Sequence, residues 1–317
     1  MSRKTALITG FVLAYEGGAG FAMAVELHRQ GIRVFATARS LESMTKLRDL
    51  GIEILQMDVT VPSTVQSVRA AIEQLTGGTL DILVNNAGMS TSPPPHPLSH
   101  LTDNPQVYEA AAIEDTTEQA KALFAVNLFG VMEVTQAFAP LLVASSRNHI
   151  AQKTGFYPRV IQIGSQAAVV PVPFYSAYHA SKAALSMYGN VLRIEMESFG
   201  VKVVTVLMGR VTTKIVRERK NLPEGSLYTP IKDLYEGTIQ EIFPSDNQMS
   251  TEVFAKRLIP KILTKKPSAF IWIAGNPWTA WALDTFFPRA WDSFFKRFVR
   301  LDKVGEAFRK EIAGKSS

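Results

Sequence analysis

The stretch Thr5-Ala6-Leu7-Ile8-Thr9-Gly10, followed shortly by Gly17-Gly18-Ala19-Gly20-Phe21, decides the fold. Ala6 to Thr9 is a short apolar run of the kind that forms a buried strand, and it enters a glycine-rich turn that opens a helix over about Phe21 to Gln30. Glycine allows a tight turn, and the first N–H groups of a helix have no partner within it. A strand, a glycine turn and a helix in that order therefore suit a bound diphosphate.

Outward from this stretch the same alternation repeats. Val34 to Ala38, Ile52 to Met57, Ile82 to Val84, Val160 to Ile163 and Val203 to Leu207 read as strands; Leu41 to Leu50, Ser63 to Leu75, Thr117 to Leu142 and Tyr178 to Ser198 read as helices. Strands rich in Val and Ile without polar alternation are covered on both faces. With right-handed crossovers, the expected class is α/β: a Rossmann-like doubly wound parallel sheet, a single domain with insertions and an aromatic C-terminal extension. The domain is expected over residues 1–265, with a substrate-covering segment at about 214–250 and a helix at Thr251 to Thr264; residues 266–317 add the last strand, Phe270 to Ile273, and the extension. Ser90 to Pro105 and Ser145 to Tyr157 read as polar insertions.

Composition excludes several classes. With no cysteine there is no disulfide framework, no thiolate nucleophile and no cysteine metal site. The five histidines are scattered apart from the loop pair His96 and His100, so no metal is expected. The net charge of +6 suits a phosphorylated ligand or an anionic surface, but no basic block with interleaved aromatics suggests nucleic acid. No run of eighteen apolar residues spans a bilayer and no signal peptide is read at the N-terminus, so a cytoplasmic chain is expected.

The chemistry lies in Ser165 and in Tyr178-His179-Ala180-Ser181-Lys182. Tyr178 and Lys182 are four residues apart on a helix, which puts phenol and ammonium on one face. A cation within roughly 4–6 Å lowers a tyrosine pKa by about 1–3 units toward values useful for acid–base work. Ser165 follows a strand, where ligands meet open α/β sheets, and its hydroxyl is placed to hold a carbonyl oxygen beside the phenol.

Tyr-x-x-x-Lys alone is a common surface pair. Here it joins Thr9-Gly10 with Gly17, Gly18 and Gly20, then Asp58-Val59, Asn85-Asn86-Ala87-Gly88, Asn127, and Gly209-Arg210-Val211-Thr212-Thr213. In this order the motifs resemble the short-chain dehydrogenase/reductase family over roughly Thr5 to Thr213. Within it, Glu16 to Gly20, Ala36 to Ser40, Leu222 to Tyr228 and the aromatic C-terminus are similar to fungal NADPH-dependent 1-acyldihydroxyacetone-phosphate reductases.

The resemblance implies hydride transfer between a nicotinamide and a carbonyl, with Tyr178 protonating the nascent alkoxide and Ser165 polarising the carbonyl. Lys182 would also bind the nicotinamide ribose, and Asn127 would hold a water relaying protons to Lys182. The cofactor set implied is Gly10, Gly18, Gly20, Arg39, Asp58 at the adenine, Asn85 and Gly88 along the adenosine half, Tyr178, Lys182, Val211 and Thr213. Where an acidic residue would select NAD, this chain has Ala38-Arg39-Ser40, and a guanidinium pairs with the 2′-phosphate of NADPH; Glu16 is the nearby charge of opposite tendency.

Two departures stand out. Phe11 to Gly17 lengthens the glycine turn, so its bulky residues either crowd the phosphates or bulge outward, and Met208 stands where a proline is usual.

All four tryptophans, Trp272, Trp278, Trp281 and Trp291, precede or interleave with a phenylalanine-rich run that ends in Lys296, Arg297 and Arg300. Three readings stay open: walls of an apolar pocket or core, a peripheral contact with the endoplasmic reticulum or lipid-droplet membrane, and a homo-oligomer interface.

The function expected is NADPH-dependent reduction of a carbonyl to a secondary alcohol. Its substrate is expected to be an apolar or acylated carbonyl such as acyl-dihydroxyacetone phosphate; the alternatives are a ketone intermediate of polyketide or other secondary metabolism, or a weakly active NADP-binding relative.

Overall fold

The computed structural model describes residues 3–11, 18–89, 110–212, 222–238, 248–287 and 289–315. Seven strands, β1 (Thr5–Thr9), β2 (Arg33–Ala38), β3 (Glu53–Gln56), β4 (Ile82–Asn85), β5 (Arg159–Ser165), β6 (Lys202–Met208) and β7 (Phe270–Ile273), form one sheet. All pairings are parallel, in the order β3-β2-β1-β4-β5-β6-β7. This is the expected Rossmann-like sheet. Its order reverses between β1 and β4, opening a crevice at the C-terminal ends of those strands.

The helices are α1 (Ala19–Arg29), α2 (Thr45–Asp49), α3 (Pro62–Thr76), α4 (Thr117–Phe124), α5 (Val131–Ala151), α6 (Ser176–Glu197), α7 (Lys232–Thr238), α8 (Thr251–Leu263), α9 (Pro277–Phe286), α10 (Ala290–Phe298) and α11 (Leu301–Lys315). Strand alternation divides the core into two layers. Ala6 and Ile8 of β1 and Ile82 and Val84 of β4 face α1 and α8, where Met23, Leu27, Phe254 and Leu258 are fully buried. Leu7 and Leu83 face the other way, onto Val65 and Ile72 of α3 and Val134, Phe138 and Leu142 of α5. Each such side chain stabilises the fold by about 1.5–3 kcal/mol.

The expected polar insertion from Ser145 is corrected at its start. Ser145 to Ala151 continue α5, where two of their polar side chains find partners in the fold: Ser145 Oγ donates to Asp81 Oδ1 (2.6 Å), and His149 bridges Asp81 and Thr154 at 2.8 Å each. The helical run from Thr117 to Ala151 is long and apolar enough to cross a membrane, but half of that apolar window is buried within the fold, with Val134, Phe138 and Leu142 packed onto the sheet.

Three expected features lie wholly or partly outside the described residues: the loop Ser90 to Pro105 with His96 and His100, the lengthened turn at 12–17, and the segment at 214–250. Among the described residues no cluster of metal-ligating side chains occurs.

Candidate active site

The glycine turn fits a nucleotide cofactor. Gly18 caps α1 without a side-chain bond, and the first turn of α1 carries no acidic residue, so its amides are open to an anion. Gly10 has φ +81°, and a Cβ there would lie 2.4 Å from Ala87 Cα. A Cβ on Gly20 would meet Asn86 Nδ2 at 2.6 Å. Both glycines are required by close approach of the β1 and β4 edges.

Asn86, which sequence reasoning passed over in favour of Asn85, makes that approach. Its Nδ2 donates to the carbonyls of Thr9 and Gly10 at 2.8 Å each, and Thr9 Oγ1 accepts from the amides of Asn86 and Ala87 at 3.1 and 3.0 Å. Asn85 does not offer its side chain to the groove. It is the last residue of β4, it is buried, and its Nδ2 donates to Thr135 of α5 (2.9 Å) and Gln162 of β5 (3.1 Å). One residue farther on, the side chain falls on the crevice side. The sequence ended this strand at Val84, and only the pairing of Asn85 with Gln162 of β5 shows that Asn86 is the first residue beyond it.

Gly88 lies against the catalytic candidates. A Cβ there would come within 3.3 Å of Lys182 Nζ and 3.4 Å of Asn127 Oδ1. Asn127 sits in a π-helical turn, Ala125–Gly130, between α4 and α5, an irregularity that often marks functional positions. It is fully buried: Oδ1 accepts from Met89 N (2.7 Å), while Nδ2 donates to Met89 O (2.8 Å) and Ser181 Oγ (2.9 Å). Ser181 Oγ donates in turn to the Tyr178 carbonyl at 2.7 Å. Both amide hydrogens of Asn127 are thus spent on bracing the Gly88-Met89 chain against α6, and one lone pair of Oδ1 is left for the water expected there.

Ser165 ends β5, and its Oγ accepts from Ala167 N at 3.1 Å. The same hydroxyl beside the Tyr178 phenol draws the phenol pKa down, but burial is the larger effect and holds Tyr178 above the ordinary tyrosine value. Lys182, 7% exposed, donates to the Ile163 carbonyl at 3.3 Å with its Nζ 5.9 Å from the centre of the Tyr178 ring. Burial lowers it to about 8. The expected lowering of the phenol by this ammonium is therefore corrected for the cofactor-free protein: desolvation dominates both groups and drives each toward its neutral form.

The residues after Ser165 and around Tyr178 line an apolar hollow of about 230 Å³, among them Val169, Val170, His179 and Ala183. Burial lowers the pKa of His179 and so favours its neutral form.

The remaining candidates sit as follows. Arg39 is exposed just beyond β2, its carbonyl accepting from Gln56 Nε2 at 2.8 Å. Asp58 Oδ1 accepts from Thr60 N (2.8 Å) and Thr60 Oγ1 (2.6 Å), an Asx turn that leads into α3. Val211 is buried and forms a bridge with Met249, while Thr213 lies outside the described residues. Met208 completes β6 opposite Ser165 and Ile273, so the missing proline leaves a paired strand end. Gly209 follows, where a Cβ would lie 2.4 Å from the Ala274 carbonyl oxygen.

A parallel sheet with a glycine cradle at its switch point, and Ser165, Tyr178 and Lys182 beside it, defines a nucleotide-dependent oxidoreductase. The family model for short chain dehydrogenases matches residues 4–223, and the chain belongs to that family. It is an NAD(P)-dependent oxidoreductase. The chain is 34% identical over 306 residues to the short-chain dehydrogenase RED1 of Pyricularia oryzae, covering 95% of this chain and 96% of that protein. It is 32% identical over 268 residues to the NADPH-dependent 1-acyldihydroxyacetone phosphate reductase of Schizosaccharomyces pombe, covering 83% and 79% respectively. Among solved structures, a short-chain dehydrogenase from Streptomyces avermitilis shares the fold with a TM-score of 0.69 and 23% identity, covering 97% of this chain and 98% of that one.

Proposed function

We propose that the chain reduces a carbonyl to a secondary alcohol with NADPH, and that Tyr178 is the proton donor. The observation that carries this reading is the convergence of Ser165 at the end of β5, the half-buried Tyr178 phenol and the buried Lys182, whose Nζ lies 5.9 Å from the centre of the phenol ring. An ordinary tyrosine carries its proton at neutral pH, and Ser165 beside the phenol would orient a carbonyl oxygen toward that proton.

NADPH supplies the hydride when bound. Gly10, Gly18 and Gly20 would cradle its diphosphate, with the main chain of Asn85 along the adenosine half, Asp58 near the adenine and Gly88, expected on the adenosine half, instead beside Lys182. Arg39 would meet the 2′-phosphate, and Val211 and Thr213 would close the nicotinamide end. Lys182 serves twice, holding the ribose and restoring the Tyr178 proton, in a position braced by Asn127 through Ser181 and Met89.

For substrate, the reading favours an apolar or acylated carbonyl, first acyl-dihydroxyacetone phosphate, in keeping with the activity in the name of the Schizosaccharomyces pombe relative.

Fluorescence titration with NADPH and NADH, followed by NADPH oxidation with a panel of acyl-dihydroxyacetone phosphate and simple ketones, tests the reading. Tight NADPH binding with oxidation supports it and ranks substrates; no binding of either cofactor removes it.

A further inference from the structure

The aromatic C-terminus turns much of its ring surface outward. On α9, Trp278 is 79% exposed and Trp281 40%; Phe286 and Phe287, at its end, are 62% and 65% exposed. Trp278, Trp281 and Phe286 touch edge to face at 6.2 and 5.8 Å, so they form one ridge along the helix. On α10 the inward face is Phe295 and Val299, both buried, with Val299 in the cluster that contains Phe174 and Ile231. That anchorage leaves Phe294 and Phe298, stacked at 5.4 Å, facing out. Folding does not bury these rings, and exposed clusters of this kind mark interaction surfaces.

Charge indicates the partner. From Pro277 to Arg300 the basic side chains are Arg289, Lys296, Arg297 and Arg300, against the acids Asp284 and Asp292, of which Asp292 already pairs with Arg289 at 3.4 Å. Lys296 and Arg297 are exposed between Phe294 and Phe298. Tryptophan and phenylalanine rings flanked by cations match the boundary of an anionic bilayer, where rings enter the headgroup layer and cations meet lipid phosphates.

We infer that α9 and α10 form a docking face for the surface of an anionic lipid bilayer. The inference is independent of the substrate reading and of catalysis. The same extension is tied to the site: Leu301 and Val304 of α11 pack on the cluster containing Phe174 and Tyr175, next to Tyr178. Docking thus brings the membrane to the wall of the catalytic crevice.

The full chain is tested by sedimentation with vesicles of phosphatidylcholine, alone or mixed with phosphatidylserine, while tryptophan emission is followed. All four tryptophans lie between residues 272 and 291, so the emission reports this segment alone. The expected result is salt-sensitive pelleting with the mixed vesicles and a blue shift. Combined Trp278→Ala, Phe286→Ala and Phe287→Ala should weaken partition roughly tenfold or more. Lys296→Glu with Arg297→Glu should remove the preference for anionic lipid. Both variants should keep wild-type melting and NADPH affinity, since every altered side chain is exposed.

Wild-type protein that stays in the supernatant with both vesicles at low salt overturns the inference, as does an aromatic variant that pellets like wild type. A wild-type dimer that the aromatic variant dissolves, without vesicle binding, would assign the face to a second copy instead.

Discussion

Lys182 stands one turn of α6 beyond Tyr178, with its Nζ 5.9 Å from the centre of the phenol ring, and burial pushes the two pKa values in opposite directions. The ammonium falls to about 8 while the phenol rises. Between that value and the ordinary lysine pKa near 10.4, the folded protein binds fewer protons than the unfolded chain, so this group makes stability rise with pH across that window. Below pH 8 the buried charge is a cost. Lys182→Met should therefore stabilise the cofactor-free protein at pH 7 by about 1–3 kcal/mol while abolishing turnover, and the gain should vanish toward pH 10–11. Urea unfolding across pH measures this; a variant less stable than wild type at pH 7 contradicts it.

Tyr178→Phe keeps the ring and removes the donor. Turnover should fall by about 10² or more with NADPH affinity nearly unchanged. Steady-state kinetics beside a fluorescence titration separate the two effects, and retained turnover would sink the proposed mechanism.

Asn86 and Asn85 are adjacent but serve different layers. Asn86→Ala strips the Thr9 and Gly10 carbonyls of their donor, and it should cost about 1–3 kcal/mol and weaken NADPH binding roughly tenfold. Asn85→Ala should cost stability through Thr135 and Gln162 and leave cofactor affinity within about twofold, since that site lies behind β4. Parallel unfolding and titration curves check the contrast; equal losses of affinity would show that Asn85 also reaches the groove.

Arg39→Asp tests cofactor choice. Loss of the guanidinium and gain of a carboxylate should lower NADPH affinity and raise NADH affinity, changing their ratio by roughly tenfold or more. An unchanged ratio would assign the selectivity elsewhere.

His149 belongs to a polar cluster at the opposite end of the central strands, where β1, β4 and β5 begin. Asp81, just before β4, accepts from Thr5 N (2.8 Å), from Ser145 and from His149, while Arg159 at the start of β5 binds the carbonyls of Ile262 and Thr264 at the end of α8. His149→Ala should lose about 1–3 kcal/mol of stability with kcat unchanged. A fall in kcat at temperatures where the variant is folded would contradict a purely structural role.

Much of this molecule is legible in local pattern. The apolar runs, the glycine turn and the spacing of Tyr178 and Lys182 are properties of neighbouring residues, and chain geometry converts them directly into strands, a turn and one helix face. They sufficed for the order of elements, the parallel sheet and the family.

What only the tertiary structure decided depends on segments far apart in the chain. The placement of Asn86 rather than Asn85 at the crevice follows from how β4 sits between β1 and α5. The neutral bias of Tyr178 and Lys182 follows from burial, which no spacing encodes. The helical character of Ser145 to Ala151 rests on Asp81, and the outward turn of Phe294 and Phe298 rests on Phe295 and Val299 having filled the inward contact of α10. Periodicity is set residue by residue, whereas desolvation and partnership are set by whatever the completed fold places alongside.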